Sequence, residues 1–198
     1  MPAADDLDQQ IIDSIRILAL ADRAWLRSIG DLHGISATQV QVLDLACNSP
    51  RERRRVSAIT RELNARIAAI TEAADILVER GMLTREADES DLRATILNPT
   101  PLGRRTNATA YITAPSLTAR LRRSPATHKV PAYNRMLNTL ADLYNDDTIE
   151  TLRSCLTCRF FRPAEVDGKV SKCWKLKEKL PPDKLRIDCK FYAAGEAE

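Results

Sequence analysis

The feature that most constrains this chain is a set of four cysteines near its end, with the spacing C-x2-C-x14-C-x15-C. These residues are Cys155, Cys158, Cys173 and Cys189. The segment that contains them has too few apolar residues to bury a core of its own. A metal centre held by four thiolates would supply the missing crosslink. We therefore predict that residues 151–192 form a small metal-cluster module and that residues 193–198 form a disordered tail.

Composition predicts a cytoplasmic protein. The 198 residues are 44% hydrophobic and 29% charged, as in globular proteins. The acidic N-terminus has no basic region followed by a long apolar run, so no signal peptide is predicted, and no stretch is long enough to span a bilayer. Cytoplasmic thiols stay reduced, which favours metal ligation over disulfides. The net charge of +3 permits nucleic-acid binding without requiring it.

The distribution of lysine indicates a boundary within the chain. No lysine precedes Lys129, and seven of the eight lie between Lys169 and Lys190. The basic residues before Lys169 are almost all arginine. This change predicts that one module ends and another begins near residue 150.

Apolar periodicity and capping residues predict the elements of the first module. A helix over about 7–30 carries an apolar stripe made of Ile11, Ile15, Leu18, Trp25 and Ile29. Ser36 is predicted to cap a second helix and Ser57 a third. A fourth helix, about 66–80, ends at Gly81. Two extended runs, 83–87 and 92–97, flank a polar tip at 88–91 and predict a hairpin.

The sequence after the hairpin predicts further helices. One spans about 102–122, with a kink at Pro115. A linker is predicted at 124–131, followed by a helix at 132–144. Asp147 and Glu150 match a capping box, which predicts a last helix that runs into Cys155.

Three motifs around the hairpin carry a family resemblance. They are Arg80-Gly81-Met82-Leu83-Thr84-Arg85, Asp91-Leu92-Arg93-Ala94 and Thr100-Pro101-Leu102-Gly103. Together with the order of the helices, they resemble the MarR family of bacterial regulators over residues 35–103. The resemblance implies a mainly α fold with a small β wing, in which 35–103 is a winged helix-turn-helix. It also implies a homodimer, with dimerisation helices at 1–34 and 104–150, that binds a double-stranded DNA operator.

The same resemblance implies how DNA is contacted. The fourth helix would lie in the major groove and the wing in the adjacent minor groove, where Arg93 matches the family's wing arginine. Asp91 would brace Arg93 by pairing with it. The candidate phosphate contacts are Ser57, Arg66, Thr71, Arg54 and Arg55. For the arginines of the 51–55 turn, a solvated surface is an equally good interpretation. Ile67 and Glu72 stand where the family commonly has arginines, so the resemblance does not specify the operator sequence.

Iron–sulfur and zinc are the two candidate metals for the module. Structural zinc usually takes two C-x-x-C knuckles, whereas this segment has one, with two further single cysteines and no histidine. A [4Fe–4S] cluster accepts scattered ligands, because each cysteine binds a separate corner. Five of the nine aromatic residues crowd the cysteines and would exclude water: Phe160, Phe161, Trp174, Phe191 and Tyr192. The segment also resembles the cluster segment of high-potential iron–sulfur proteins. We predict [4Fe–4S], with zinc as the alternative.

These observations predict a regulator rather than an enzyme. The sequence has no nucleotide-binding, hydrolase or zinc-protease motif, and four cysteine ligands would leave no open iron for a substrate. We predict a DNA-binding transcriptional regulator whose operator affinity follows the cluster, through redox state, oxygen, nitric oxide or iron supply. One alternative is a MarR-like regulator with structural zinc that senses a small phenolic ligand. Another is an electron-transfer protein whose winged helix is a docking scaffold. The fifth cysteine, Cys47, is predicted to be a small core residue.

Overall fold

A computed structural model describes residues 4–113, 121–164 and 170–195. The chain divides into two compact units, Met1–Leu121 and Arg122–Glu198. None of the helices described is both long and apolar enough to cross a membrane. The predicted kink at Pro115 and the last part of the predicted tail, 196–198, fall outside the described residues.

The first unit has the predicted order of three helices, a fourth helix and a hairpin. Its elements are α1 (Ala4–His33), α2 (Ala37–Asn48), a 3-10 turn (Arg51–Arg54), α3 (Val56–Glu62), α4 (Ile67–Glu79), β1 (Leu83–Asp88), β2 (Asp91–Pro99) and α5 (Pro101–Thr113). Their inward side chains form one core, whose fully buried members include Ile29, Val42, Leu43, Ile59, Ile70 and Leu77. Cys47 packs against this core, as predicted.

The caps of α2 and α3 differ from each other. Ser36 caps α2 as predicted: its hydroxyl accepts a hydrogen bond from the Gln39 amide, while the Gln39 side chain accepts one from the Ser36 amide. The prediction that Ser57 caps α3 is wrong, because the N-cap residue is Arg55. The backbone of Arg55 pairs with Ile96 of β2, which holds it extended and starts the helix at the next residue.

The wing is joined to α5 through Thr100 and Gly103. β1 and β2 pair antiparallel, from Leu83 opposite Pro99 to Ala87 opposite Thr95. The Thr100 hydroxyl donates to the Gly81 carbonyl at 2.7 Å and accepts from the Gly103 amide at 3.1 Å. A Cβ at Gly103 would lie 2.1 Å from the carbonyl oxygen of Met82, so only glycine lets α5 pack this close.

The apolar stripe of α1 is only partly buried. Ile29 is fully buried and Trp25 packs against the core. Ile11, Ile15 and Leu18 remain 50%, 51% and 45% exposed. A core within one chain therefore explains only the C-terminal end of the stripe.

In the described residues of the second unit, an α-helix is followed by the cysteine segment. The elements of this unit are α6 (Ala126–Asn145), β3 (Phe161–Arg162), β4 (Lys172–Cys173), β5 (Glu178–Lys179) and a 3-10 turn (Pro182–Lys184), with the strands in the order β3-β4-β5. The predicted linker at 124–131 is wrong, because α6 begins at Ala126 after Pro125 as N-cap. Pro131 lies inside α6, where its ring removes one backbone donor without ending the helix.

The last predicted helix, from Asp147 into Cys155, is also wrong. Asp147 has a φ of +60°, in the left-handed region, and the Asp146 carboxylate accepts a hydrogen bond from the Thr148 amide at 3.1 Å. Together they form a turn that ends α6 and leads into the cysteine segment without a new helix. α6 and the cysteine segment belong to the same compact unit, Arg122–Glu198.

Candidate functional site

The outer face of α4 is the candidate surface for reading DNA bases. Ile70, Ala74 and Leu77 are fully buried and anchor the helix to the core. The opposite face exposes Arg66, Ile67, Ala68, Ala69 and Glu72. This part of the helix presents a cation at its start, a small apolar surface, and the Glu72 carboxylate, which could accept a hydrogen bond from a cytosine amine.

The tip of the wing is held by two aspartates. Asp88 is buried and accepts hydrogen bonds from the amide and hydroxyl of Ser90 and from the guanidinium of Arg55. These bonds, led by the Ser90 amide, lower the pKa of the Asp88 carboxyl. The Asp91 carboxylate accepts from the backbone amide of Arg93 at 3.1 Å. Asp91 thus fixes the backbone of Arg93. The prediction was that its carboxylate would pair with the Arg93 side chain. The Arg93 side chain is exposed.

Two predicted phosphate contacts, Arg54 and Arg55, are engaged inside the first unit. The Nε of Arg54 donates to the Ser49 carbonyl at 2.8 Å. The guanidinium of Arg55 pairs with Asp88, and its NH2 donates to the Ser90 hydroxyl at 2.9 Å. Their guanidinium groups therefore tie the arginine-rich turn together and join it to the base of the wing.

The remaining predicted contacts differ in exposure. Ser57 is exposed in the first turn of α3, and Arg66 is exposed as the N-cap residue of α4. Thr71 is half-buried, and its carbonyl accepts a hydrogen bond from Arg85 at 3.3 Å. Among the predicted contacts, Ser57, Arg66 and Arg93 therefore have exposed side chains.

In the second unit, the four predicted ligands line one cavity. A small cavity of about 10 Å³ is lined by Cys155, Cys158, Cys173 and Cys189, together with Phe160, Phe161, Leu180, Arg186 and Phe191. Cys155 and Cys189 are buried, and the other two cysteines are half-buried. The sequence predicted that these thiols would converge, and the fold brings them together across more than 30 residues of chain.

Backbone hydrogen bonds bring the cysteines to the cavity. The Cys155 amide donates to the Arg186 carbonyl at 2.8 Å, and the Cys189 amide donates to the Arg153 carbonyl at 3.1 Å. The Cys158 amide donates a hydrogen bond to the Cys155 carbonyl at 3.2 Å, which forms a tight turn between the two cysteines. Cys173 is placed by β4, where it lies opposite Phe161 of β3. The ligand positions thus depend on strand pairing and chain crossing rather than on helix geometry.

The cavity has one cationic side chain that sequence reasoning missed. The amide of Arg186 donates to the Sγ of Cys155 at 3.2 Å, and its NH2 donates to Glu178 at 2.8 Å. Its NH1 is buried and has no hydrogen-bond partner in the described part of the chain. A donor and a positive charge at this wall would favour added negative charge on sulfur inside the cavity. No local pattern in the sequence marks this arginine.

Burial affects the thiols. It raises the pKa of the Cys155 thiol, and the neighbouring Cys189 and Cys158 raise it further, while the amide of Arg186 acts in the opposite direction. Cys155 is therefore held as a neutral thiol at neutral pH. Metal binding would have to displace its proton.

The arrangement of the thiols bears on which metal fits. Tetrahedral zinc with Zn–S bonds of about 2.3 Å would bring sulfurs to within about 3.8 Å of one another. No three His, Cys, Asp or Glu side chains among the described residues are grouped so that they could hold a single ion. The four thiols line one cavity, and four cysteine ligands suit either candidate, a [4Fe–4S] cluster or zinc.

Two tyrosines of α6, Tyr133 and Tyr144, connect this helix to the cysteine segment. The Tyr133 hydroxyl donates to the Leu185 carbonyl at 2.9 Å, and the Tyr192 hydroxyl donates to the Tyr144 hydroxyl at 3.5 Å. Burial, followed by the bond to Tyr144, raises the pKa of Tyr192 to about 12. Because Tyr192 is neutral at physiological pH, it can remain a hydrogen-bond donor.

Known proteins resemble the first unit in sequence and fold. The sequence model of the MarR family matches residues 35–95. Residues 35–95 are therefore similar to the MarR family, and the solved structures below share the fold of the first unit. A MarR protein from Peptoclostridium difficile has a TM-score of 0.60 at 16% identity, over 74% of this chain and 95% of its own. The transcriptional regulator BldR from Sulfolobus solfataricus has a TM-score of 0.56 at 20% identity, over 70% of this chain and 99% of its own.

A structure of Streptococcus pneumoniae FabT in complex with DNA is similar too, with a TM-score of 0.53 at 17% identity, over 70% of this chain and 98% of its own. No curated protein sequence matches the chain significantly. The MarR match ends at residue 95, so it gives no information on the cysteine segment.

Proposed function

We propose that this protein is a dimeric transcriptional regulator that binds a double-stranded DNA operator through α4 and the wing. The similarity of residues 35–95 to the MarR family supports the proposal, and so does a wing tip that fixes the backbone of Arg93 while leaving its side chain exposed. A cation presented in this way suits the narrow minor groove. The dimer is supported by the uncovered apolar residues of α1.

We further propose that Cys155, Cys158, Cys173 and Cys189 hold a [4Fe–4S] cluster. The observation that carries this proposal is the single apolar cavity that all four thiols line. When bound, such a cluster supplies a one-electron redox centre and a crosslink between distant parts of the segment. The protein's own part would be to exclude water with Phe160 and Phe161 and to donate the Arg186 amide to the Cys155 sulfur.

A change in the cysteine segment would alter DNA binding through α6. Tyr133 and Tyr144 link this helix to the segment, so a rearrangement around the cavity would release or shift it. As a dimerisation helix, α6 would then alter the separation of the two recognition helices. Operator half-sites lie about 34 Å apart and tolerate little error in that distance. Redox state, oxygen, nitric oxide and iron supply are the candidate signals.

Structural zinc with a small-molecule signal is the second candidate. A similar structure, CouR from Rhodococcus jostii, is described as bound to p-coumaroyl-CoA, at 22% identity and a TM-score of 0.54. A regulator of that kind would respond to an organic ligand in the first unit. Its cysteine segment would then be only a folding element.

The test compares metal content and DNA affinity in two cysteine variants. Cys173→Ala removes one proposed ligand, and Cys47→Ala is the matched control, because Cys47 lies in the first unit and packs on its core. For anaerobically purified wild type and Cys47→Ala we expect about four iron and four sulfide per chain, with broad absorption near ~400 nm. Cys173→Ala should lose the cluster and change operator affinity. About one zinc per chain in a colourless protein would refute the cluster, and unchanged DNA affinity in cluster-free Cys173→Ala would refute the coupling.

A further inference from the structure

The positive charge of this protein is concentrated in the cysteine segment. Residues 1–150 contain 19 Lys and Arg against 20 Asp and Glu, a net charge of −1. Residues 151–195 contain 11 Lys and Arg against 5 Asp and Glu, a net charge of +6. Four thiolates around a [4Fe–4S] core carry about −2 in total, which would leave this segment strongly positive. A surface of this charge attracts polyanions.

Four of these cations lie on one small hairpin, formed by β4, a turn and β5 and here named the lysine hairpin (residues 172–179). Its exposed lysines are Lys172, Lys175, Lys177 and Lys179. Lys172 and Lys179 are directly opposite each other in the β4–β5 pairing. Like charges at such a pair destabilise a sheet. The repulsion would be relieved if an anion bound between them.

The hairpin lacks internal charge compensation. Its one carboxylate, Glu178, pairs with Arg186 at 2.8 Å. Within the described ranges, none of the four hairpin lysines has an ion-pair partner. Lys177 also occupies a backbone position with a φ of +55°, where glycine or asparagine is the usual residue. In the part of the chain that the structure describes, the hairpin therefore presents ammonium groups without carboxylate partners, even at a turn position that disfavours lysine.

In the winged helix, by contrast, several arginines are already paired with carboxylates. Arg51 forms a two-point ion pair with Glu86, at 2.8 and 3.0 Å, and Arg85 pairs with Asp75 at 2.6 Å. The guanidinium of Arg55 is engaged by Asp88, as described above. Non-specific DNA affinity depends on the number of phosphates that cations neutralise. The pairing of Arg51, Arg55 and Arg85 therefore reduces the number of phosphates that the first unit alone would neutralise.

We propose that the lysine hairpin is a second DNA-binding surface, which binds phosphates of duplex DNA in addition to those met by the winged helix. The proposal rests on the proposed DNA-binding function. DNA is favoured over an acidic protein because the winged helix would already hold a duplex on the same chain, which raises its local concentration at any second site. Flexible lysines suit phosphate as point charges, so they would add affinity without sequence preference.

The test uses two charge-matched variants of the full-length, metal-loaded protein. One carries Lys→Gln at the four hairpin lysines. The control carries Gln at four exposed cations of the second unit outside the hairpin: Arg122, Arg123, Lys129 and Arg135. Circular dichroism, metal content and sedimentation verify fold and dimer. Binding to a labelled random-sequence duplex is then measured from ~50 to ~300 mM salt.

For the hairpin variant we expect log K to fall less steeply with log salt, by about 0.9 for each phosphate that is no longer neutralised, and affinity at low salt to fall about tenfold or more. The control variant should keep most of the wild-type slope of log K against log salt. An unchanged slope in the hairpin variant would overturn the proposal. Equal decreases in both variants would also overturn it, because they would show only an effect of net charge.

Two further measurements separate this proposal from its premise. Arg93→Ala should weaken DNA binding whether or not the hairpin takes part. If Arg93→Ala abolishes binding while the hairpin variant binds normally, the winged helix stands and the second surface is refuted. If wild type binds no duplex, both proposals fail. Loss of polyglutamate binding in the hairpin variant, with DNA binding intact, would assign the surface to an acidic protein instead.

Discussion

Replacing Ile15 with alanine should weaken the dimer by an amount that can be worked out from its exposure. Fully burying an isoleucine side chain stabilises by about 1.5–3 kcal/mol. Ile15 is 51% exposed in the single chain, so a partner could still bury about half of it. Alanine keeps part of that contact, so the substitution should lower the stability of the dimer by about 0.5–1 kcal/mol per protomer. Because a two-fold dimer contains two copies, we expect about 1–2 kcal/mol in total, or a Kd raised about 5- to 30-fold.

Ile17→Ala is the matched control for this prediction. It makes the same substitution on the same helix, but Ile17 lies about 200° around the axis from Ile15, away from the apolar stripe. Ile17 is also well exposed, at 65%. Sedimentation over a dilution series would give both dimer constants. An equal shift in the two variants, or no shift in Ile15→Ala, would refute the assignment of this stripe to the dimer interface.

Two further predictions concern the cavity wall and the wing. Arg186→Gln removes a cation from beside the thiols, so the bound cluster should have a lower reduction potential, measured by an optical redox titration; an unchanged potential would contradict the role given to Arg186. Hydrogen bonds from Ser90 lower the pKa of the Asp88 carboxyl, so its stabilising effect is present above the unfolded pKa of about 3.9 and is lost as pH falls through the folded pKa. The Tm of wild type should therefore exceed that of Asp88→Asn at neutral pH and approach it in acid; a difference independent of pH would contradict this reasoning.

The fold of the first unit could be predicted because its signals are local. Ser36 with Gln39 starts α2, and Gly81, with a φ of +68°, follows the end of α4. The Thr100 to Gly103 motif also has a local cause, since it joins the wing to α5 through two short hydrogen bonds. Each of these positions restricts the backbone within a few residues, so a pattern in the sequence is enough to identify it.

The second unit was predicted less well because its contacts are long-range or ambiguous. Asp147 and Glu150 match a capping box, but the same aspartate also tolerates the left-handed turn that it adopts. The position of Arg186 depends on a crossing with Cys155, 31 residues away, which no periodicity records. The cysteine spacing identified the candidate ligands, whereas their shared cavity depends on the pairing of β3 with β4.

The two tryptophans of the chain divide its fluorescence between the two units. Trp25 is partly buried against the core of the first unit, whereas Trp174, at the start of the hairpin turn, is 65% exposed and stacks on Arg162. An exposed indole emits at longer wavelength than a buried one, so the two contributions can be resolved. Trp25→Phe would leave an intrinsic reporter beside Cys173, and Trp174→Phe would leave one in the winged-helix unit. One optical experiment could then follow, without any added label, which unit responds first to an oxidant or to DNA.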